Sequence, residues 1–501
     1  MSEQITKNTT FAHRKGCLLR AVVGILLVAG ALSIAAQDDI TTQNASSALD
    51  GAWITGPASN PLSRLNGPAF QTGASAEPYD LQDFAPVNYL DDSMPRWISL
   101  RMSERYRYEA FNNSSFEAGN DDSYELNRFR LEADVRPCSW FRVSAQVQDA
   151  RPFFESPPIG PPNEVRWDLK LAYAEIGDPE KHWFSLRVGR QIINYNNTLI
   201  SGSEWRNQGR SFDAAALNLQ SRRARLGIFA ASAVVPQDSG VSPHQEGNNI
   251  YGLYGRILNL LPHSSLEAFA LWRVQPAEVM QAALATTTGK GDERAYGVRM
   301  KGRASESLDY SGELVIENGT AGAYPIRAWA FDYGVSYQFR EARGQPRFFA
   351  QHDFASGNSN PADGVHRTFD TMYPEAHDRF GTLDLFGWQN IQSVRAGGTM
   401  MPHRRLSVSA QALDFWAVSA LDAVYNTSGE AIAVNKIANG RHIGDEVDVY
   451  VWYELNRHFN VGAGYGWFSG GDFLSHIVSS HSYSSSYVVL NFKNRGQQRE
   501  K

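Results

Sequence analysis

The chain reads as an all-β protein: one transmembrane antiparallel β-barrel of about eighteen strands. Three observations predict it. Segment after segment alternates apolar and polar side chains, the connections alternate long and short, and the N-terminus has the form of an export signal.

The N-terminal segment comes first. Arg14, Lys15 and Arg20 form a basic start, residues 21–31 ("AVVGILLVAGA") an apolar run, and Ser33-Ile34-Ala35 supplies small residues for cleavage. The run is short for a helical span of ~20 residues. Residues 1–36 are therefore expected to be a signal peptide, whose removal leaves Cys138 as the lone cysteine. Residues 37–92, rich in Ser, Asn, Pro, Gly and Ala, read as a flexible N-terminal extension. The barrel is expected over 93–493, with a polar tail at 494–501. No later stretch is apolar enough for a transmembrane helix, so a membrane crossing must use a closed sheet. The formal net charge of -6 argues against a nucleic-acid partner, and any preference for anions must come from local placement of charge.

From Trp97 onward the dominant signal is period two. In "WISLRMSERYRYEAF", Ile98, Leu100, Met102, Tyr106, Tyr108 and Ala110 share one face, and Ser99, Arg101, Ser103, Arg105, Arg107 and Glu109 the other. Glu104 is the exception. "FRLEADVR" and "FRVSAQVQ" alternate without a break. In "WAFDYGVSYQF", Trp329, Phe331, Tyr333, Val335, Tyr337 and Phe339 oppose Asp332, Gly334, Ser336 and Gln338. Such segments approach the ~9–11 residues that a tilted transmembrane strand needs. Long "NNSSFEAGNDDS" is followed by short "PCS", then long "RPFFESPPIGPPNEVR" by short "GDPEKH". The rhythm continues past "QSRR", Pro262 and Ser305 to "MPH" and "NRH", with long connections around 235–249, 275–291, 356–388, 418–445 and 469–485. Long extracellular loops and short periplasmic turns are the outer-membrane pattern.

In such a barrel the polar face lines the lumen. The expected lumen set includes Arg101, Arg105, Arg107, Arg128, Arg130, Arg142 and Arg187, with Glu109, Glu132, Asp134, Glu313, Glu317, Asp332 and Asp448. Cations dominate the first five strands, and acids become more common later. Rings of Arg and Lys favour anions; the competing reading is that basic and acidic ladders hold the wall by ion pairs.

Two blocks carry a family resemblance. "GRQIINY" followed by "SGSEWRNQGRSFDAAAL" (189–217), and "YPEAHDRFGTLDLFGWQNIQSVRAGG" (373–398) with Pro374, His377, Gly381, Asp384 and Asn390, resemble the bacterial alginate-export outer-membrane proteins. The resemblance extends from about Trp97 to Phe492. It implies a monomeric eighteen-stranded barrel in the bacterial outer membrane, with an electropositive pore that an anionic polysaccharide or related acidic solute crosses passively. Periplasmic export partners would accompany that role. Two departures stand out: Phe212-Asp213-Ala214 replaces the family's Phe-Asp-Gly, and Phe492 is followed by polar residues instead of ending the chain.

The resemblance assigns solute contact to Arg190, Arg206, Arg210, Asp213 and Asn390 beside the lumen arginines. Guanidinium forks match carboxylates in a bidentate way. The alternative is structural: Arg206 or Arg210 pairs with Glu204 or Asp213 and pins the loop across the lumen. Neither a Ser-His-Asp arrangement nor a paired-acid cleft emerges, so no enzyme, cofactor or catalytic residue is expected. His352, His377, Asp378 and Asp384 match no tight metal-ligand spacing. The rival readings are a general or small-organic-anion porin, a secreted carbohydrate-binding or carbohydrate-cleaving β-protein, and a barrel serving as an adhesin.

Overall fold

The computed structural model describes residues 94–493 apart from 155–162, 179–181, 196–198, 239, 277–288, 376, 378, 435–439, 457, 476, 479 and 481. The expected signal peptide, N-terminal extension and polar tail, and Asp378, lie outside the described residues.

Strands form where the sequence alternates. They are β1 (Ile98–Asn112), β2 (Asp122–Cys138), β3 (Phe141–Phe153), β4 (Val165–Gly177), β5 (Phe184–Gln191), β6 (Phe212–Gln220), β7 (Ala224–Val234), β8 (His244–Leu258), β9 (Ser264–Gln275) and β10 (Gly291–Arg303). Then come β11 (Leu308–Ala321), β12 (Tyr324–Gln338), β13 (Arg347–Ala355), β14 (Ile391–His403) and β15 (Leu406–Ala417). A small hairpin, β16 (Ala423–Tyr425) with β17 (Ala431–Val434), precedes β18 (His442–Glu454), β19 (Phe459–Gly470) and β20 (Ser482–Lys493). Leaving out the hairpin, these make one 18-stranded sheet. It closes because β1 pairs antiparallel with β2 on one side and β20 on the other. A closed sheet leaves no unpaired backbone edge facing lipid, which is the condition for crossing a membrane with strands. A secreted soluble β-protein is not this fold.

Short turns gather at one end: 139–140, 178–183, 221–223, 259–263, 304–307, 339–346, 404–405 and 455–458. Longer connections gather at the other: 113–121, 154–164, 192–211, 235–243, 276–290, 356–390, 418–441 and 471–481. The alternation fails once. Residues 322–323 join β11 to β12 at the long-loop end with a tight turn, for which Gly322 supplies φ +58.

The two faces separate as the period predicts. Arg105, Arg107 and Glu109 are buried inside, whereas Tyr106 and Tyr108 are exposed outside. On β12, Trp329, Tyr333, Val335 and Tyr337 face out, and Phe339 just beyond it is exposed too. Glu104 stands on the outer face, where Asn127 donates a hydrogen bond to it. Cys138, expected to be a lone thiol, is disulfide-bonded.

The bore carries a buried apolar cluster that includes Tyr195, Ile200, Phe212, Phe229, Phe369, Tyr373 and Trp388. Strand side chains and residues of the 192–211 and 356–390 loops share it, so these two loops fold into the barrel.

Candidate functional site

Strands β5 and β6 are short, and the chain between them turns into the bore. Tyr195 and Ile200 form an antiparallel bridge that narrows the entry into a hairpin. Ile193, Tyr195, Leu199 and Ile200 are all buried, and the Tyr195 ring packs 5.3 Å from Phe229 and 4.7 Å from Tyr254. Apolar burial of this kind pulls the first half of the loop against the inner wall.

The second half, "SEWRNQGR", meets the basic wall of β1–β4. Arg105 donates to the Glu204 and Arg206 carbonyls at 3.0 and 2.9 Å, and Arg107 to the Trp205 carbonyl at 2.8 Å. Arg128 donates to the Glu204 carbonyl at 2.9 Å, and Arg130 and Lys170 to the Gln208 carbonyl at 3.1 and 3.2 Å. The Glu204 carboxylate lies 2.5 Å from Arg130, 3.3 Å from Lys170 and 3.4 Å from Arg128. Burial alone would raise its pKa, but Arg130, Lys170 and Arg128 outweigh that and hold it well below the usual carboxylate range. Charge-assisted bonds to carbonyls are stronger than neutral ones. A loop gripped along consecutive carbonyls cannot slide without breaking several at once.

Trp205 sits at the meeting point. Its ring stacks on His377 at 3.9 Å and 9°, meets Tyr487 edge-on at 5.2 Å, and lies 4.3 Å from the Arg107 guanidinium. His377 belongs to the other inward loop, and its Nδ1 is 2.9 Å from the Asp384 carboxylate. The two loops also join by backbone: Ser201 N–H donates to the Tyr373 carbonyl at 2.8 Å, and Tyr373 N–H to the Leu199 carbonyl at 2.9 Å. Arg210 clamps the seam by donating to the carbonyls of Ser201, Tyr373 and Pro374. Burial, with Arg206 next to it, lowers the Arg210 pKa to about 10. Arg206 reaches a third loop, donating to Ser428 Oγ at 2.9 Å.

The 356–390 loop is held by the opposite charge. Asp370 N–H donates to Glu317, Thr382 N–H and hydroxyl to Asp448, and Leu383 N–H to Glu446. Arg379 bridges Asp332 at 3.0 Å and Asp353 at 2.8 Å, with its guanidinium 3.6 Å from the Trp388 ring centre. The basic wall thus grips carbonyls, and the acidic wall grips amides.

Against the sequence expectations, Arg105, Arg107, Arg128 and Arg130 come together as inward residues, beneath the 204–208 segment. Arg101, Arg142 and Arg187 form a neighbouring network: Arg101 lies 2.6 Å from Glu132 and 3.0 Å from Asp134, Arg142 pairs with Asp134, and Arg187 is 2.9 Å from Glu175. Arg190 and Asp213 pair with each other at 2.8 Å, but register puts them on the face of Leu186 and Val188, the outer one. Arg190 stands three positions from inward Arg187, an odd offset, and period two sends it out of the lumen. Asn390 is fully buried with φ 49, and ties the 418–441 loop through Ser419 and Ala423. The expected pairing of Arg206 or Arg210 with Glu204 or Asp213 gives way to Arg128, Arg130 and Lys170 on Glu204, and Arg190 on Asp213. Trp205 and Tyr373, the hinge of the seam, were signalled only by aromatic residues within otherwise polar loops. Among the described residues, one group of His and acidic side chains has ligand atoms close enough for a cation, Asp414, His442 and Asp445 at the outer rim; the weighed set around His377 does not.

Comparison with known proteins agrees with this architecture. The alginate export family model matches residues 96–487. No curated protein matches the chain in sequence. Among solved structures, Pseudomonas aeruginosa OpdO is similar with TM-score 0.54 and 12% identity, covering 79% of this chain and 97% of its own. OpdK of the same organism, solved with vanillate, gives 0.53 and 11%, covering 79% and 98%. Acinetobacter baumannii OccAB4 gives 0.53 and 12%, covering 79% and 98%. At these identities the likeness concerns the fold alone. The closed barrel and the family match together describe an outer-membrane protein of the channel kind, and the chain belongs to the alginate export family.

Proposed function

We propose that the barrel lets an anionic polysaccharide of the alginate kind cross the outer membrane passively, guided by the basic wall of β1–β5. One observation carries this reading: Arg105, Arg107, Arg128, Arg130 and Lys170 converge around two carboxylates, Glu204 and Glu109, so cations are in excess. Their other hydrogen-bond partners among the described residues are backbone carbonyls and the Gln148 amide oxygen, which carry no net charge. In a low-dielectric wall that excess creates a field attractive to anions. Arg206 stands at the loop seam, where its one side-chain hydrogen bond among the described residues goes to the Ser428 hydroxyl and the Glu375, Asp384 and Glu430 carboxylates balance its charge. Arg101, Arg142 and Arg187 lie further along the wall, where Glu132, Asp134 and Glu175 match their charge. Arg190, Asp213 and Asn390 fall outside the proposed path, since they occupy the outer face and a buried clasp. A monomer with periplasmic export partners fits the closed sheet.

A narrower reading, a porin for small organic acids, is favoured by the inward loops, which constrict the bore, and by the similar OpdK barrel solved with a carboxylate. Planar-bilayer recordings separate the two. Anion preference with block by oligouronates, but not by neutral oligosaccharides of equal length, supports the polysaccharide. Anion preference without block supports the small solute, and cation preference overturns both. Arg206→Ala is expected to reduce anion preference without changing barrel assembly.

A further inference from the structure

The outward side chains of β6–β10 fall into rows fixed by strand register, and the rows change character towards the long-loop end. Leu217, Ile228 and Leu253 form an apolar row. One step up are Ala215, Ala230, Tyr251, Trp272 and Arg294. The next step is mostly polar, with Asp213, Ser232, Asn249, Val274 and Asp292. The apolar band therefore ends here, beside aromatic residues, at headgroup level.

Just below that boundary the small Ala215 and Ala230 leave a groove of about 700 Å³ on the barrel's outer face, bounded by Leu186 on one side and by Trp272 and Arg294 on the other. The Arg294 side chain is 42% exposed, lies 5.8 Å from the Trp272 ring centre, and among the described residues engages Asp292 through its Nη2 at 2.9 Å. Asn318 and Arg327 stand abreast of it on β11 and β12. Arg327 is exposed and forms no side-chain ion pair among the described residues. At one strand spacing of about 5 Å per step, the two arginines lie roughly 10 Å apart along the headgroup plane.

The geometry points to a binding site for a phosphorylated glycolipid of the outer leaflet. Its phosphate is received by Arg294 and Arg327, and an acyl chain lies in the groove. Guanidinium forks suit phosphate oxygens, the groove suits hydrocarbon, and Ser232 and Asn249 above it offer hydroxyl and amide groups to a sugar. The long loops mark this end as the one facing out of the cell, where the lipid of that chemistry resides. This site is independent of what the bore conducts.

The test is native mass spectrometry of the full-length protein in detergent with diphosphoryl lipid A, its dephosphorylated form, or phosphatidylglycerol. Diphosphoryl lipid A is expected to bind one per barrel and to be lost roughly tenfold or more in R294A/R327A, as expected for losing charged hydrogen bonds. Ala230→Phe, which fills the groove while keeping both arginines, is expected to weaken binding as well. Arg222→Ala, at the opposite end, should leave it unchanged. Each variant is checked for native gel mobility of the unheated barrel. Equal binding of the dephosphorylated form, equal competition by phosphatidylglycerol, or full retention by the folded double variant would overturn the site.

Discussion

Replacing Glu204 by Gln removes one negative charge with little change of shape. In the native barrel this carboxylate lies 2.5 Å from Arg130 and within 3.4 Å of Lys170 and Arg128, with 11% of its side chain exposed. Water therefore screens it little. Neutralising one partner of a buried ion pair costs about 3–5 kcal/mol. The carbonyl bonds from Arg105, Arg107 and Arg128 remain, so the inward state of the 192–211 loop weakens by roughly a hundredfold to a few thousandfold without being abolished. In single-channel recordings the Gln variant should make frequent excursions to higher conductance than the native barrel. The pH dependence supplies a second arm. A carboxyl whose pKa is lowered on folding holds its loop fully above its ordinary value, and the hold is lost only as pH falls through the lowered one. Native conductance should thus stay flat from neutral pH down to about 4.3, and the Gln variant should show at neutral pH the excursions that native protein shows only in stronger acid. A conductance histogram identical to native, from protein with native gel mobility, would refute the idea that this carboxylate holds the loop.

Three further outcomes follow from the same contacts. Arg379→Ala strands Asp332 and Asp353 and is expected to cost about 3–5 kcal/mol, seen as a lower urea midpoint, with Arg379→Lys intermediate because it keeps the charge and loses the fork. Gly381→Ala places a Cβ against Glu446 Oε1 at φ +90, and the strained 356–390 loop should become protease-sensitive at a cost of about 1–3 kcal/mol. Trp205→Ala removes the ring between Arg107 and His377, worth about 1–2 kcal/mol, and should increase current noise while leaving urea stability close to native.

The wall was legible because one physical rule governs it: lipid outside and water inside impose period two on every strand. "WAFDYGVSYQF" therefore reads directly as outer and inner faces. The hairpin at 322–323 escaped because a two-residue turn needs only one residue of positive φ, and Gly322 sits between alanines without a polar cluster. Arg105, Arg107, Arg128 and Arg130 were legible as inward cations, but their partners were not. Backbone carbonyls carry no residue identity, so of this loop's holds on the arginines only Glu204 had a complementary acid to show in the sequence. Arg190 shows the converse. Its motif suggested solute contact, yet its separation of three positions from Arg187 already placed it on the other face.

The way the loops are held bears on how the wall can act on a solute. Had each arginine been matched with a loop carboxylate, the inward fold would have neutralised the wall. Instead Arg105 and Arg107 grip carbonyls of residues 204–206, and a peptide dipole satisfies a guanidinium without cancelling its charge. Across the bore, Glu446 and Asp448 hold amides of Thr382 and Leu383 in the same fashion, and Arg273 is the single cation paired with Glu293 and Asp370 beside Glu317. Charge–dipole contacts thus constrict the channel and leave opposite charges on its two sides. Under the proposed function, an anionic chain passing between them would be drawn to the β1–β4 side, where Trp205 stands at the seam. Adding a carboxylate to that side should therefore reduce anion preference even where the loops keep their inward fold.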